Sequence, residues 1–150
     1  MHDVSRQLTV DELAELFGGR TRFVERLAET ESPLERARDV LRSLPEDELV
    51  EALNAHPRIG ERNLRGASAH EQGAEDDPAV LTELAYLNEV YEEKFGFRFV
   101  VFVDRRPRSE LVPVLQERLA RTRDQELETA REELVAIAED RWRQRSVDAP

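Results

Sequence analysis

DPAVLTELAYLNEVYEEKFG, residues 77–96, runs without a break into FRFVVFV, residues 97–103, and this junction decides the fold class. Asp77-Pro78 is a helix start, a capping side chain followed by proline at the first helical position. Val80, Leu84, Leu87, Tyr91 and Phe95 then recur at helical spacing until Gly96 offers a left-handed stop. The residues that follow are mostly β-branched and aromatic, so local propensity alone reads a strand. A strand needs a partner, and no second convincing one occurs in the 150 residues. The ladder groups of a lone strand would be orphaned, so the segment is expected to be extended and buried against helices, or helical against its propensity. The expected fold is all-α: a compact multi-helix bundle forming a single domain over residues 1–150.

The flanking sequence supports this. On the N-terminal side, Thr9 and Glu12 form a capping box, Leu13, Leu16 and Phe17 make one apolar face, and Gly18-Gly19 ends the helix. A second helix carries Phe23, Val24 and Leu27. Ser32-Pro33-Leu34-Glu35 starts a third with a capping serine and proline at the first position. Pro45 opens a fourth, whose inward stripe of Leu49 and Leu53 continues to His56 before Pro57 discourages further helix. PRIGERNLRGA, residues 57–67, reads as a loop, and Ser68-Ala69-His70-Glu71 as another capping box. On the C-terminal side, Ser109 is expected to cap a helix containing Leu111, Leu115 and Leu119, with Pro113 tolerated near its first turn. Thr122 and Gln125 box the start of a long helix to about Arg145. Its stripe runs Leu127, Ala130, Leu134 and Ile137, and the same spacing adds Arg141.

Composition narrows the function. Lys plus Arg number 22 against 33 Asp plus Glu, a net charge of −11, and the basic residues are interleaved with acids. Such a field repels phosphate backbones, so no nucleic acid partner is expected. No run approaches the length of a membrane span, and MHDVSRQ lacks a basic region followed by an apolar stretch, which makes the cytoplasm the expected location. The absence of Cys removes thiolate nucleophiles and Cys-ligated metals. His2, His56 and His70 do not form a metalloprotease or three-histidine pattern, and the six glycines form neither a phosphate loop nor a dinucleotide fingerprint. Ser68 lies outside any nucleophile-elbow motif, with His70 too near in sequence to serve as its base. Neither metal nor cofactor is expected.

Polar residues stand where core residues belong. His56 is either a satisfied structural imidazole or a proton-transfer group: a helix C-terminus favours its cation, burial opposes it, and the two together could leave it near neutrality. Glu71 is either the reciprocal cap of Ser68 or a carboxylate turned to substrate, with Ser68 and Gln72 as neutral hydrogen-bonding neighbours. Arg141 either snorkels at the stripe's edge or meets an anion, and its fork of donors suits a carboxylate or a urea-like group. Tyr86, Tyr91 and Trp142 read as core or rim aromatics. The same amphipathic helices would also suit an acidic interaction module without catalysis.

Four pieces in order, LNAHPRIG around His56, SAHEQ at 68–72, LAYLNEVYEEKFGFRFVVFV at 84–103 and IAEDRW around Arg141, resemble the 2-oxo-4-hydroxy-4-carboxy-5-ureidoimidazoline (OHCU) decarboxylases of uric acid breakdown. The resemblance implies an all-helical, cofactor-free decarboxylase, commonly a homodimer, that converts an anionic ureidoimidazoline to (S)-allantoin. It puts the catalytic histidine and glutamate on His56 and Glu71, the substrate-binding arginine on Arg141, and further pocket positions on Pro57, Ser68 and Gln72. It also implies that FGFRFVVFV packs beside the pocket. Arg58-Ile59 replaces the acidic residue and leucine that many members carry, and Arg98 stands where proline is usual. Activity on a related ureido acid is therefore a second enzymatic alternative.

Overall fold

The computed structural model describes residues 8–60 and 77–148, with side chains as far as Arg145. Among these residues there are seven helices and no strand: α1 (Val10–Phe17), α2 (Arg22–Ala28), α3 (Pro33–Ser43), α4 (Glu46–Asn54), α5 (Pro78–Phe95), α6 (Arg108–Leu119) and α7 (Arg123–Asp148). The all-α expectation holds. The chain divides into two compact units, one from Met1–His56 with Arg131–Pro150 and the other Pro57–Ala130.

In the first unit α2 packs against α1, α3 and α4. Phe23, Val24 and Leu27 of this short helix are fully buried, each contributing about 1.5–3 kcal/mol by leaving water. The Phe23 ring stands edge-on to Phe17, with centroids 5.0 Å apart. The capping box of α1 is present in both directions, Thr9 N–H donating to Glu12 Oε1 and Glu12 N–H to Thr9 Oγ1, each at 3.1 Å. The start of α3 differs from its sequence signature. Ser32 takes a left-handed conformation (φ 55°, ψ 58°) and its side chain makes no capping bond. Its carbonyl instead accepts from the N–H groups of Glu35 and Arg36, and Pro33 at the first position leaves one fewer donor to cap.

The second unit is built on α5, where Leu84, Tyr91 and Phe95 are buried and Gly96 closes the helix at φ 83°. Tyr86, expected in the core or at its rim, is 63% exposed. The segment 97–103 is neither strand nor helix, yet Phe97, Phe99, Val100, Val101 and Val103 are all buried. Arginines satisfy carbonyls that a sheet would otherwise have paired. Arg118 Nη1 donates to the Val100 carbonyl at 2.9 Å, while Arg106 donates to those of Val103 (2.9 Å) and Phe102 (2.7 Å). The Arg118 guanidinium also lies over the Phe99 ring, 4.7 Å from its centroid.

Two expectations at α6 are corrected. The helix begins at Arg108 with Pro107 at its cap, so Ser109 is inside it and is not the cap; Pro113 is its sixth residue, beyond the first turn. The N–H that Pro113 lacks would have reached the carbonyl of Ser109, an exposed residue, so the missing bond falls at the wet surface. The predicted Thr122–Gln125 box at the start of α7 is present, at 3.0 and 3.2 Å.

Candidate active site

The site in the first unit is assembled on the C-terminal turn of α1. Gly18 ends that helix at φ 87°, a left-handed conformation that glycine adopts without steric cost. A Cβ at Gly18 would stand 3.2 Å from both Cε1 and Nε2 of His56 and 3.3 Å from the Ala55 carbonyl oxygen. The imidazole edge thus lies directly against the glycine backbone. His56 itself follows the end of α4, its N–H donating to the Leu53 carbonyl at 3.3 Å.

His56 is 5% exposed, as its place on the Leu49–Leu53 stripe predicts. The expected balance between helix terminus and burial is not observed. Burial first, and then the positive charge of Arg141, push the imidazole down to about 3. The cation would lose its hydration and face a like charge, and a helix of nine residues does not offset both. His56 is therefore a neutral imidazole at physiological pH, a form that accepts a proton at one ring nitrogen and donates from the other.

Arg141 reaches the same turn. Its residue is 9% exposed, and Nη1 donates to the carbonyls of Glu15 at 3.1 Å and Leu16 at 3.4 Å. The two solutions read from sequence were solvent and an anion; the observed partners include a third, the unsatisfied carbonyls at the end of a helix, which carry partial negative charge. Fixing one corner of the rigid fork orients the whole guanidinium plane.

Pro57 follows His56 and is half-buried. Ser68, Glu71 and Gln72, with the capping box proposed for them, lie outside the described residues. Arg58, in the second unit, is held by Glu92 through two hydrogen bonds, at 2.6 and 3.0 Å. Arg98 is half-buried. Among the described residues no group of three or more His, Asp or Glu is arranged to hold a metal ion, and no helix is long and apolar enough to cross a membrane. Gly18 carries no separate site signal in the sequence, because a helix stop by itself already accounts for a glycine there. The Glu15 and Leu16 carbonyls carry no sequence signal, since every residue has one.

The family model for OHCU decarboxylase matches residues 2–143. The chain belongs to the OHCU decarboxylase family. Among curated members of related sequence, a 2-oxo-4-hydroxy-4-carboxy-5-ureidoimidazoline decarboxylase of Halalkalicoccus jeotgali is 31% identical over 94 residues, 59% of this chain and 53% of that protein. The uric acid degradation bifunctional protein TTL of Arabidopsis thaliana is 34% identical over 100 residues, 60% of this chain and 31% of that protein. The chain thus spans about a third to a half of the length of these relatives. A crystal structure of OHCU decarboxylase in the presence of (S)-allantoin matches with a TM-score of 0.76 at 28% identity, covering 92% of this chain and 99% of that one. His56 and Arg141 both fall within the span that the OHCU decarboxylase family model matches.

Proposed function

We propose that this chain decarboxylates 2-oxo-4-hydroxy-4-carboxy-5-ureidoimidazoline to (S)-allantoin in urate degradation, without a cofactor. The observation that carries the proposal is the buried, neutral His56 gathered with Arg141 on one helix terminus, in a member of a family named for this reaction.

The substrate's C4 bears a hydroxyl and a carboxylate beside a C5=N imine. When the bond from C4 to the carboxylate breaks and carbon dioxide leaves, the electron pair forms a C4=C5 bond and the imine pair moves onto its nitrogen, which takes a proton from solvent, so the ring is its own electron sink. The C4 hydroxyl then loses its proton and becomes the carbonyl, and C5 gains a proton on one face. His56 is proposed to accept the hydroxyl proton as the carbonyl forms; with a pKa of about 3 it is a weak base until the substrate's carboxylate offsets the positive charge of Arg141 and raises its basicity. Glu71 is proposed to bracket the same hydroxyl and carboxylate, with Ser68, Gln72 and Pro57 completing the pocket. Arg141 anchors the anionic or ureido end and prevents the ring from rotating. A chain of charge −11 has no general attraction for an anion, and Arg58 is engaged by Glu92, so the proposed local positive charge falls to Arg141 with Arg98. The proposal includes a homodimer, testable by light scattering, and a cytoplasmic setting where an unstable intermediate is consumed as it is made.

Urate is oxidised and hydrolysed in the presence of the chain while circular dichroism follows the product. Optically active allantoin forming faster than unaided decay is expected. A product without net optical signal, formed at the unaided rate, overturns the reading and favours the acidic interaction module; turnover confined to another member of a ureido acid panel reassigns the substrate.

A further inference from the structure

Helix termination does not account for all that Gly18 does. Gly96 also closes a helix with positive φ, 83°, but a Cβ there would meet nothing within 4 Å. At Gly18 the added atom would meet the Cε1–Nε2 edge of His56 at 3.2 Å, a separation that forces the neighbour to give by a few tenths of an ångström. That neighbour is a ring 5% exposed and not the free end of a flexible side chain. Gly19 differs again, its Cβ position lying 3.6 Å from the Ala55 methyl, an ordinary contact. The same turn holds Arg141 through the carbonyls of Glu15 and Leu16.

We propose that the C-terminal turn of α1 is the positioning element of the site: Gly18 sets where the His56 ring stands, and the adjoining carbonyls set where Arg141 stands. The proposal rests on the reading of His56 and Arg141 as the substrate-facing pair. Gly18 itself is a positioning residue, acting through the imidazole.

Three variants test it. Gly18→Ala and Gly96→Ala impose the same left-handed alanine, and both are expected to lower Tm. Only Gly18→Ala is expected to shift the His56 imidazole resonances, assigned by comparison with His56→Gln, and to lower kcat about tenfold with KM nearly unchanged, less than the roughly 10²-fold that a 1 Å misplacement can cost. Gly18→Asn relieves the backbone strain, since asparagine tolerates this conformation, but retains the Cβ. It is expected to recover much of the lost Tm without recovering the wild-type resonances or kcat. Wild-type resonances and kcat in folded Gly18→Asn overturn the positioning role. Because the resonances are read without substrate, a wild-type chain that does not decarboxylate overturns the functional reading separately.

Discussion

Arg141 Nη1 donates to the carbonyl oxygen of Glu15 at 3.1 Å, joining α7 to the end of α1 across 126 positions of the chain. The guanidinium thus serves the scaffold and, in the proposed reaction, the substrate. Arg141→Lys keeps the charge but replaces a planar fork by a point donor. It is expected to weaken apparent substrate affinity about tenfold, the equivalent of one charge-assisted hydrogen bond, and to lower the urea midpoint. A lower midpoint with unchanged affinity assigns Arg141 to the scaffold alone.

Removing either proposed proton-handling group separates folding from chemistry. His56→Ala and Glu71→Gln are each expected to retain helical circular dichroism and to lose roughly 10²- to 10⁴-fold in rate. Residual allantoin is expected to be racemic. Wild-type rates in both variants remove this site.

The depressed basicity of His56 makes stability depend on pH. The folded imidazole titrates at about 3 against 6.5 for an open one, so between these values the unfolded chain binds a proton that the folded chain does not. The stabilisation is complete above about pH 6.5 and is lost as pH falls toward about 3, by up to about 1.4 kcal/mol per pH unit. Urea unfolding at about pH 7 and about pH 5, for wild type and His56→Gln, reads this directly. Equal losses in the two proteins would contradict a buried neutral imidazole.

In the second unit, Glu126 is fully buried and accepts from Tyr91 Oη at 2.6 Å, Arg118 Nε at 2.7 Å and Arg121 Nη1 at 3.0 Å. Glu126→Gln leaves two guanidiniums without their carboxylate and is expected to cost about 3–5 kcal/mol in denaturant unfolding. Tyr91→Phe removes one neutral donor and is expected to cost about 1 kcal/mol. Near-equal effects of the two changes would show that charge is not what this cluster contributes.

The helix boundaries were legible where they depend on neighbours in sequence. The boxes at Thr9–Glu12 and Thr122–Gln125 formed as written, because a side chain three residues from a free N–H reaches it whatever the rest of the chain does. The stripes that bury Leu49, Leu53 and His56, and Leu134, Ile137 and Arg141, were legible from helical spacing alone. Ser32 and Ser109 show the limit: a capping residue type states a capacity, and backbone conformation decides whether it is used.

Sequence by itself determined the all-α class, the inward faces of the helices, the burial of His56 and the place of Arg141 on an inward stripe, since period and composition act over a few turns. Tertiary structure alone decided the rest. Arginine side chains, and not a second strand, satisfy carbonyls of residues 97–103; burial outweighs the helix terminus at His56; and the end of α1 receives both His56 and Arg141. These outcomes depend on which distant groups meet once water is excluded, where desolvation and hydrogen-bond geometry outweigh local preference.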